Sequence, residues 1–173
     1  KDNYTIEISS GKKVKFKISG SSPDDFPMII KKEKGADFIP MDRNKFLEML
    51  DLSYISMSRS EDTLNIHGTF IENIDGGLTR VVTTDGFRLS IVDEVFEETL
   101  PLQEGILVPY KGVIEIHKIL HEKREEEKIY LRSDNKALYV RIGEIEYTIS
   151  LIDKRFPDYR VIIPGDGYRK FET

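Results

Sequence analysis

The chain has 173 residues, 39% hydrophobic and 33% charged, which is enough for one buried core and part of a second. The absence of cysteine excludes disulfides, thiolate metal sites and cysteine nucleophiles, and it fits a reducing cytoplasm, where we expect the protein. No apolar run approaches the roughly 20 residues that span a bilayer, so we expect no membrane contact. The net charge of −5 excludes a broad basic surface, but residues 1–36 carry +3 and leave room for a local basic strip.

The first part of the chain predicts a hairpin followed by a domain boundary. Apolar and polar residues alternate around residues 6–8 and 14–18, on either side of a Ser-Ser-Gly turn. The turn cluster at 20–25 and the charged stretch at 31–35 are typical of a boundary between domains. Because the chain begins inside a β pattern and without Met, we expect it to be a piece of a longer protein.

The next segment predicts a helix and then three strands. Apolar residues from 46 to 57 recur at spacings of three and four, with Asp42 as the N-cap and Arg43 and Lys45 on the polar side. Strands are predicted at 64–71 and 78–83, joined by an Asp-Gly-Gly turn. A third strand, at 87–92, follows a further Asp-Gly turn.

The second half predicts a strand at 106–108, a helix opened by Pro109, and strands at 129–132, 137–141 and 145–151. A last strand is predicted at 161–163. Helices are few and the strands are mostly linked by hairpin turns. The pattern therefore predicts an α+β fold, with antiparallel sheets and two helices on one face.

Motifs of catalysis are missing from the sequence. There is no phosphate-binding glycine loop, dinucleotide fingerprint or nucleophile elbow, so we expect no catalytic residue and no cofactor. His117 and His121 have a spacing that can bind zinc, but the nearest acids are Glu115 and Glu122 on the same helix. We interpret the two histidines as solvated and expect no metal, which makes a metal-dependent hydrolase the weakest alternative.

Two surface patterns have both a structural and a functional interpretation. Turn chemistry accounts for Thr84-Asp85-Gly86, but the following Phe-Arg-Leu forms an apolar shelf with one cation, suited to a peptide that carries Leu or Phe and an acid. Lys111 and Lys118 alternate with two glutamates along one helical stripe. Spacing alone favours ion pairs on a wet face over contacts to a nucleic acid backbone.

Four stretches in order resemble one protein family. Residues 82–89, Val-Thr-Thr-Asp-Gly-Phe-Arg-Leu, resemble a motif of the bacterial DNA sliding clamp, the beta subunit of DNA polymerase III, and residues 25–27, 108–115 and 155–160 resemble further stretches of it. The resemblance implies that residues 1–30 are the C-terminal strands of a first clamp domain. Residues 37–163 would then be the middle domain, and 164–173 the start of a third.

The resemblance also implies a function in which the chain makes or breaks no covalent bond. The family's subunits form a homodimeric ring around double-stranded DNA, without sequence specificity, and tether DNA polymerase, the clamp loader and repair proteins through a short peptide motif. Because the ring joins first and third domains, we expect the present chain to be monomeric. The alternative is a stand-alone peptide-binding α+β module with no DNA role.

Site residues follow from the resemblance position by position. The implied peptide groove comprises Ile66, Thr84, Gly86, Phe87, Arg88, Leu89, Pro157 and Ile162. Phe87 replaces the family's usual His and Val161 its frequent Arg, and the rest of the groove belongs to the third domain, so weak peptide binding is expected. Lys111 matches a basic position facing the DNA, and we add Lys45 and Lys118 from the helix faces. Acids and bases balance in both helical regions, which predicts a weak, sliding contact.

Overall fold

The computed structural model describes residues 4–11, 14–26, 37–60, 62–63, 65–102, 104–134 and 136–164. The chain forms two compact units, Lys1–Glu33 and Lys34–Thr173. Among the described residues, no helix has both the length and the apolar character needed to cross a membrane.

The first unit contains the predicted hairpin. Strands β1 (Thr5–Ser10) and β2 (Val14–Ser19) pair antiparallel, with Thr5 opposite Ser19 and Ser10 opposite Val14, and a 3-10 turn follows at Pro23–Asp25. The boundary predicted at 31–35 lies outside the described residues, as does the predicted third-domain segment except for Pro164.

The second unit has two four-stranded antiparallel sheets and two helices, so the α+β prediction is confirmed. One sheet has the order β10-β9-β8-β3, and the other has the order β6-β5-β4-β7. The bounds are β3 Ile39–Asp42, α1 Arg43–Tyr54, β4 Gly68–Ile74, β5 Leu78–Thr84, β6 Leu89–Val95, β7 Ile106–Pro109, α2 Tyr110–Glu122, β8 Lys128–Ser133, β9 Ala137–Ile142 and β10 Ile145–Ser150.

Both helices begin where the sequence predicts. The Asp42 side chain accepts the backbone N–H of Lys45, and Pro109 precedes the first residue of α2. Their apolar faces pack with both sheets into the main core, around side chains such as Phe46, Leu120 and Leu131.

The prediction that Arg43 lies on the polar, solvent-exposed side of its helix is wrong. Arg43 is only 7% exposed, and its guanidinium donates from Nε to the Glu126 carbonyl at 2.8 Å and from Nη1 to the Leu120 carbonyl at 2.7 Å. Leu120 lies in the last turn of α2, whose carbonyls have no partner within the helix. The side chain of the first residue of α1 thus donates a hydrogen bond to a carbonyl at the C-terminal end of α2.

The sheet of β4 to β7 is covered on both faces because successive side chains point to opposite sides. Val81 belongs to the main core under the helices, whereas Val82 belongs to a second cluster with Leu107, Phe156 and Tyr159. The segment after β10 therefore packs on the outer face of this sheet, opposite the helices.

Three predicted strands differ from the structure, and the one predicted at 87–92 begins only at Leu89, after a turn that contains Phe87 and Arg88. The strand predicted at 64–71 begins at Gly68, and Ile66 lies in a preceding turn whose backbone N–H donates to the Thr63 carbonyl at 3.0 Å. Gly68 has φ +142°, and a Cβ there would lie 2.0 Å from the Val108 carbonyl, so the close approach to β7 requires glycine. The strand predicted at 161–163 is instead the end of a 3-10 turn, Tyr159–Ile162, capped by Asp158.

Candidate functional site

The turn between β5 and β6 is held by two polar side chains. Thr84 Oγ1 donates to the Arg88 carbonyl at 2.8 Å and accepts the Gly86 N–H at 3.1 Å. Asp85 Oδ1 accepts the N–H groups of Phe87 and Arg88 at 3.0 and 3.1 Å. Gly86 has φ +90°, a conformation that other residues rarely adopt. The turn is therefore fixed by its own sequence, as predicted.

The same turn carries a charge pair and an exposed ring. Arg88 Nε donates to Asp85 Oδ2 at 2.9 Å, and the terminal Arg88 nitrogens take no part in that bond. The backbone N–H of Phe87 and then the Arg88 side chain lower the pKa of Asp85. Phe87 is 99% exposed, so the turn presents a bare aromatic ring beside a cation.

A pocket of about 430 Å³ lies against this turn. Its apolar surface comes from β6 and from the 3-10 turn near residue 162. The lining residues are Thr84, Gly86, Phe87, Arg88, Leu89, Ile91, Ile162, Ile163 and Pro164.

Six of the eight predicted groove residues thus line one pocket, and two do not. Ile66 packs against the second apolar cluster, as Leu89 does, but it does not line the pocket. Pro157 lines a neighbouring, larger cavity. Sequence reasoning missed Ile91, although it lies two residues after Leu89 on the same strand and so shares its face.

A chain of charged and polar side chains fastens the 3-10 turn to the outer face of the sheet. Arg80 donates to both carboxylate oxygens of Asp93 at 2.6 Å, and its Nη1 donates to the Tyr159 hydroxyl at 3.2 Å. The Tyr159 hydroxyl donates to Glu72, which also accepts a hydrogen bond from Arg160 Nη2. Because this network fixes Tyr159 and Arg160, it fixes the position of the next turn residues that line the pocket.

The electrostatics of this network keep the two arginines charged and the Tyr159 hydroxyl neutral. Burial raises the pKa of the Tyr159 hydroxyl; the bond from Arg80 opposes this and the bond to Glu72 adds to it, so this group stays neutral and can donate. The hydrogen bond to Asp93 raises the pKa of Arg80, and the bond to Glu72 raises that of Arg160.

Comparison with known proteins agrees with this fold. The sequence model of a family described as "DNA polymerase III beta subunit, central domain" matches residues 40–158, which is more than half of the chain. The chain belongs to the DNA polymerase III beta subunit family. This family comprises polymerase accessory proteins and not enzymes.

Several beta subunits are similar to the chain over nearly its whole length. The beta sliding clamp of Salmonella typhimurium is 29% identical over 96% of the chain and 44% of the relative, and that of Haemophilus influenzae is 27% identical over 95% and 43%. Among solved structures, the Thermotoga maritima beta subunit has a TM-score of 0.73 at 28% identity, over 94% of this chain and 43% of that one. A Bartonella birtlesii sliding clamp bound to griselimycin has a TM-score of 0.79 at 25% identity, over 95% and 44%. The chain spans less than half of the length of each.

The helices of this beta subunit chain carry the three lysines predicted to face DNA. Lys111 and Lys118 are exposed on α2. Lys45 on α1 is exposed too, but its Nζ donates to Glu94 at 2.7 Å and to the Val95 carbonyl at 3.0 Å. The bond to Glu94 raises the pKa of Lys45 and keeps it charged, while Glu94 offsets that charge locally.

Proposed function

We propose that this chain is part of a sliding clamp that encircles duplex DNA as a homodimeric ring and tethers DNA polymerase, the clamp loader and repair proteins. Residues 1–30 would belong to the first clamp domain, 37–163 to the middle domain and 164–173 to the third. The match of the family over residues 40–158 and the division into units after Glu33 support this arrangement. Such a protein would act in the cytoplasm, where the chromosome is replicated.

The pocket beside the turn at 84–89 is the observation that carries the tethering role. Leu89, Ile91 and Ile162 supply apolar surface, and Arg88 supplies a cation at its rim. A short peptide with Leu or Phe and one acid matches that chemistry, because the apolar side chain is desolvated while the acid meets the guanidinium. Phe87 at the rim favours an apolar or aromatic residue in the peptide.

The contact that we propose between the two helices and DNA is weak. Residues 42–59 and 109–128 each hold equal numbers of acids and bases, so the helices attract phosphates only through individual lysines. A closed ring stays on DNA by topology, and weak contacts let it slide. The tethered polymerase then rebinds its template at a high effective concentration instead of diffusing away.

The decisive experiment uses the full-length protein that contains this chain. It is loaded with its clamp loader on nicked circular DNA, and half of the sample is then linearised by a restriction enzyme. A sliding clamp remains on the circle and runs off the linear form. Equal retention on both forms, or on neither, would instead favour a peptide-binding module without a DNA role.

A further inference from the structure

Three potential metal ligands converge between the two helices. His117 and His121 are one turn apart on α2, and Asp51 lies on α1. Asp51 Oδ1 lies 2.6 Å from His117 Nε2 and 4.0 Å from His121 Nε2, and one ligand atom from each residue lies within 4.8 Å of the other two. The sequence argument against a metal required that no third ligand be near, and Asp51 provides one from a distant part of the chain.

The two imidazoles are held in orientations that suit a shared ligand. The ring of Tyr54 stacks on His117, with centroids 6.2 Å apart and planes 25° apart. His117 and His121 meet edge to face at 4.6 Å. His117 is 29% exposed and Asp51 48%, so an ion can reach the cluster from solvent, and the side chains can adjust to it.

We propose that Asp51, His117 and His121 bind a divalent transition-metal ion of the zinc class and so link α1 to α2. Imidazole nitrogens and a carboxylate oxygen bind Zn²⁺ at roughly 2.0–2.2 Å, which places tetrahedral ligand atoms about 3.4 Å apart. The ion would replace the proton between Asp51 and His117, widening that pair slightly and drawing His121 inward. Three protein ligands leave a fourth position for water.

The ligand set also determines which ions the site should bind poorly. Two imidazoles favour Zn²⁺, Ni²⁺ and Cu²⁺, whereas Mg²⁺ prefers an octahedron of oxygen atoms. A Mg²⁺ titration therefore separates this site from general attraction of cations to an acidic protein.

The first test is calorimetric titration of the chain with zinc chloride and, separately, magnesium chloride. We expect one Zn²⁺ per chain and no Mg²⁺ binding at the same concentrations. Asp51→Asn, His117→Gln and His121→Gln should each weaken Zn²⁺ binding by at least about tenfold, since even the loss of a residue that only orients a ligand costs that much. Glu115→Gln and Glu122→Gln, which remove acids of the same helix outside the cluster, should bind Zn²⁺ like the parent.

The second test asks whether the ion joins the two helices. Zinc at a hundredfold excess over its dissociation constant should raise the Tm of the parent by roughly 5–10 °C, because the ligands converge only in the folded chain. Asp51→Asn should abolish most of that rise, whereas Glu115→Gln should keep it. The proposal is overturned if Asp51→Asn retains the parent's affinity and Tm rise, if Mg²⁺ binds as well as Zn²⁺, or if the glutamate controls weaken binding as much as the cluster variants.

Discussion

Arg160 Nη2 donates to both carboxylate oxygens of Glu72, at 2.7 Å from Oε1 and 2.8 Å from Oε2. Glu72 lies on the outer face of β4, and its carboxylate also accepts the Tyr159 hydroxyl. One buried acid therefore fixes two consecutive residues of the 3-10 turn that leads to Ile162. The pocket wall depends on a contact between residues far apart in sequence.

Glu72→Ala should destabilise the fold and the pocket together. It leaves the Tyr159 hydroxyl and the Arg160 guanidinium without their acceptor, and a lost acceptor of this kind costs about 1–3 kcal/mol. Urea unfolding followed by circular dichroism measures the loss. Glu98→Ala, at an exposed acid after β6, is the control and should stay within about 0.5 kcal/mol of the parent. A Glu72→Ala variant as stable as Glu98→Ala would mean that the network does not hold the turn.

Leu89→Ala should weaken binding of a short fluorescein-labelled peptide that contains Leu, Phe and Asp. Removing the apolar side chain from the pocket reduces the area that the peptide can bury, and a loss of about 1–2 kcal/mol corresponds to roughly five- to thirtyfold in Kd. Ile66→Ala should act less strongly, because Ile66 packs against the second apolar cluster and does not line the pocket. Fluorescence anisotropy gives each Kd.

Val95→Ala is the matched control for this series. Val95 is an exposed apolar residue at the far end of the same strand, β6, and does not line the pocket. It should bind the peptide as the parent does. Equal Kd values for Leu89→Ala, Ile66→Ala and Val95→Ala would contradict the proposed groove.

Sequence periodicity predicted the elements well because each rests on local chemistry. The N-cap at Asp42, the Asp-Gly-Gly turn before β5 and the proline before α2 are determined by neighbouring residues. Arg43 was misassigned because its partners, the carbonyls of Leu120 and Glu126, are more than 70 residues away. The 3-10 turn at Tyr159 was missed for a related reason, since its Val-Ile-Ile sequence favours a strand, whereas the bonds from Tyr159 and Arg160 to the distant Glu72 and Arg80 help to hold it as a turn.

The candidate sites also divide into features that neighbouring residues determine and features that depend on contacts between distant parts of the chain. The local turn at Thr84 could be recognised from its sequence, and six residues predicted by the resemblance line the pocket. Asp51 could not be paired with His117 from spacing, because their contact depends on how α1 docks against α2. Interhelical contacts of this kind carry no local signature.

Arg43→Ala should lower the free energy of unfolding by roughly 2–4 kcal/mol, because it leaves the Leu120 carbonyl at the end of α2 and the Glu126 carbonyl in the following segment without this donor, and it removes packed side-chain atoms. Arg43→Lys should recover only part of the loss, since one ammonium cannot reproduce the fork that reaches both Leu120 and Glu126. Thermal and urea unfolding measure both variants. Lys118→Ala, on the exposed face of α2, should be nearly neutral, and an Arg43→Ala loss no larger than that control would show that water replaces these bonds.

Asp85 makes the turn beside the pocket sensitive to acid. Its pKa is lowered in the folded chain by the N–H of Phe87 and by Arg88, so the turn is stabilised at any pH above the unfolded Asp value of about 3.9. That stabilisation is lost as the pH falls through the lower, folded pKa. Asp85→Asn keeps an oxygen for the two N–H groups but has no charge to titrate. The parent should therefore lose more stability than Asp85→Asn between about pH 5 and pH 2, as measured by urea unfolding at each pH. Parallel losses in the two proteins over that range would show that the Asp85 carboxylate does not stabilise the turn.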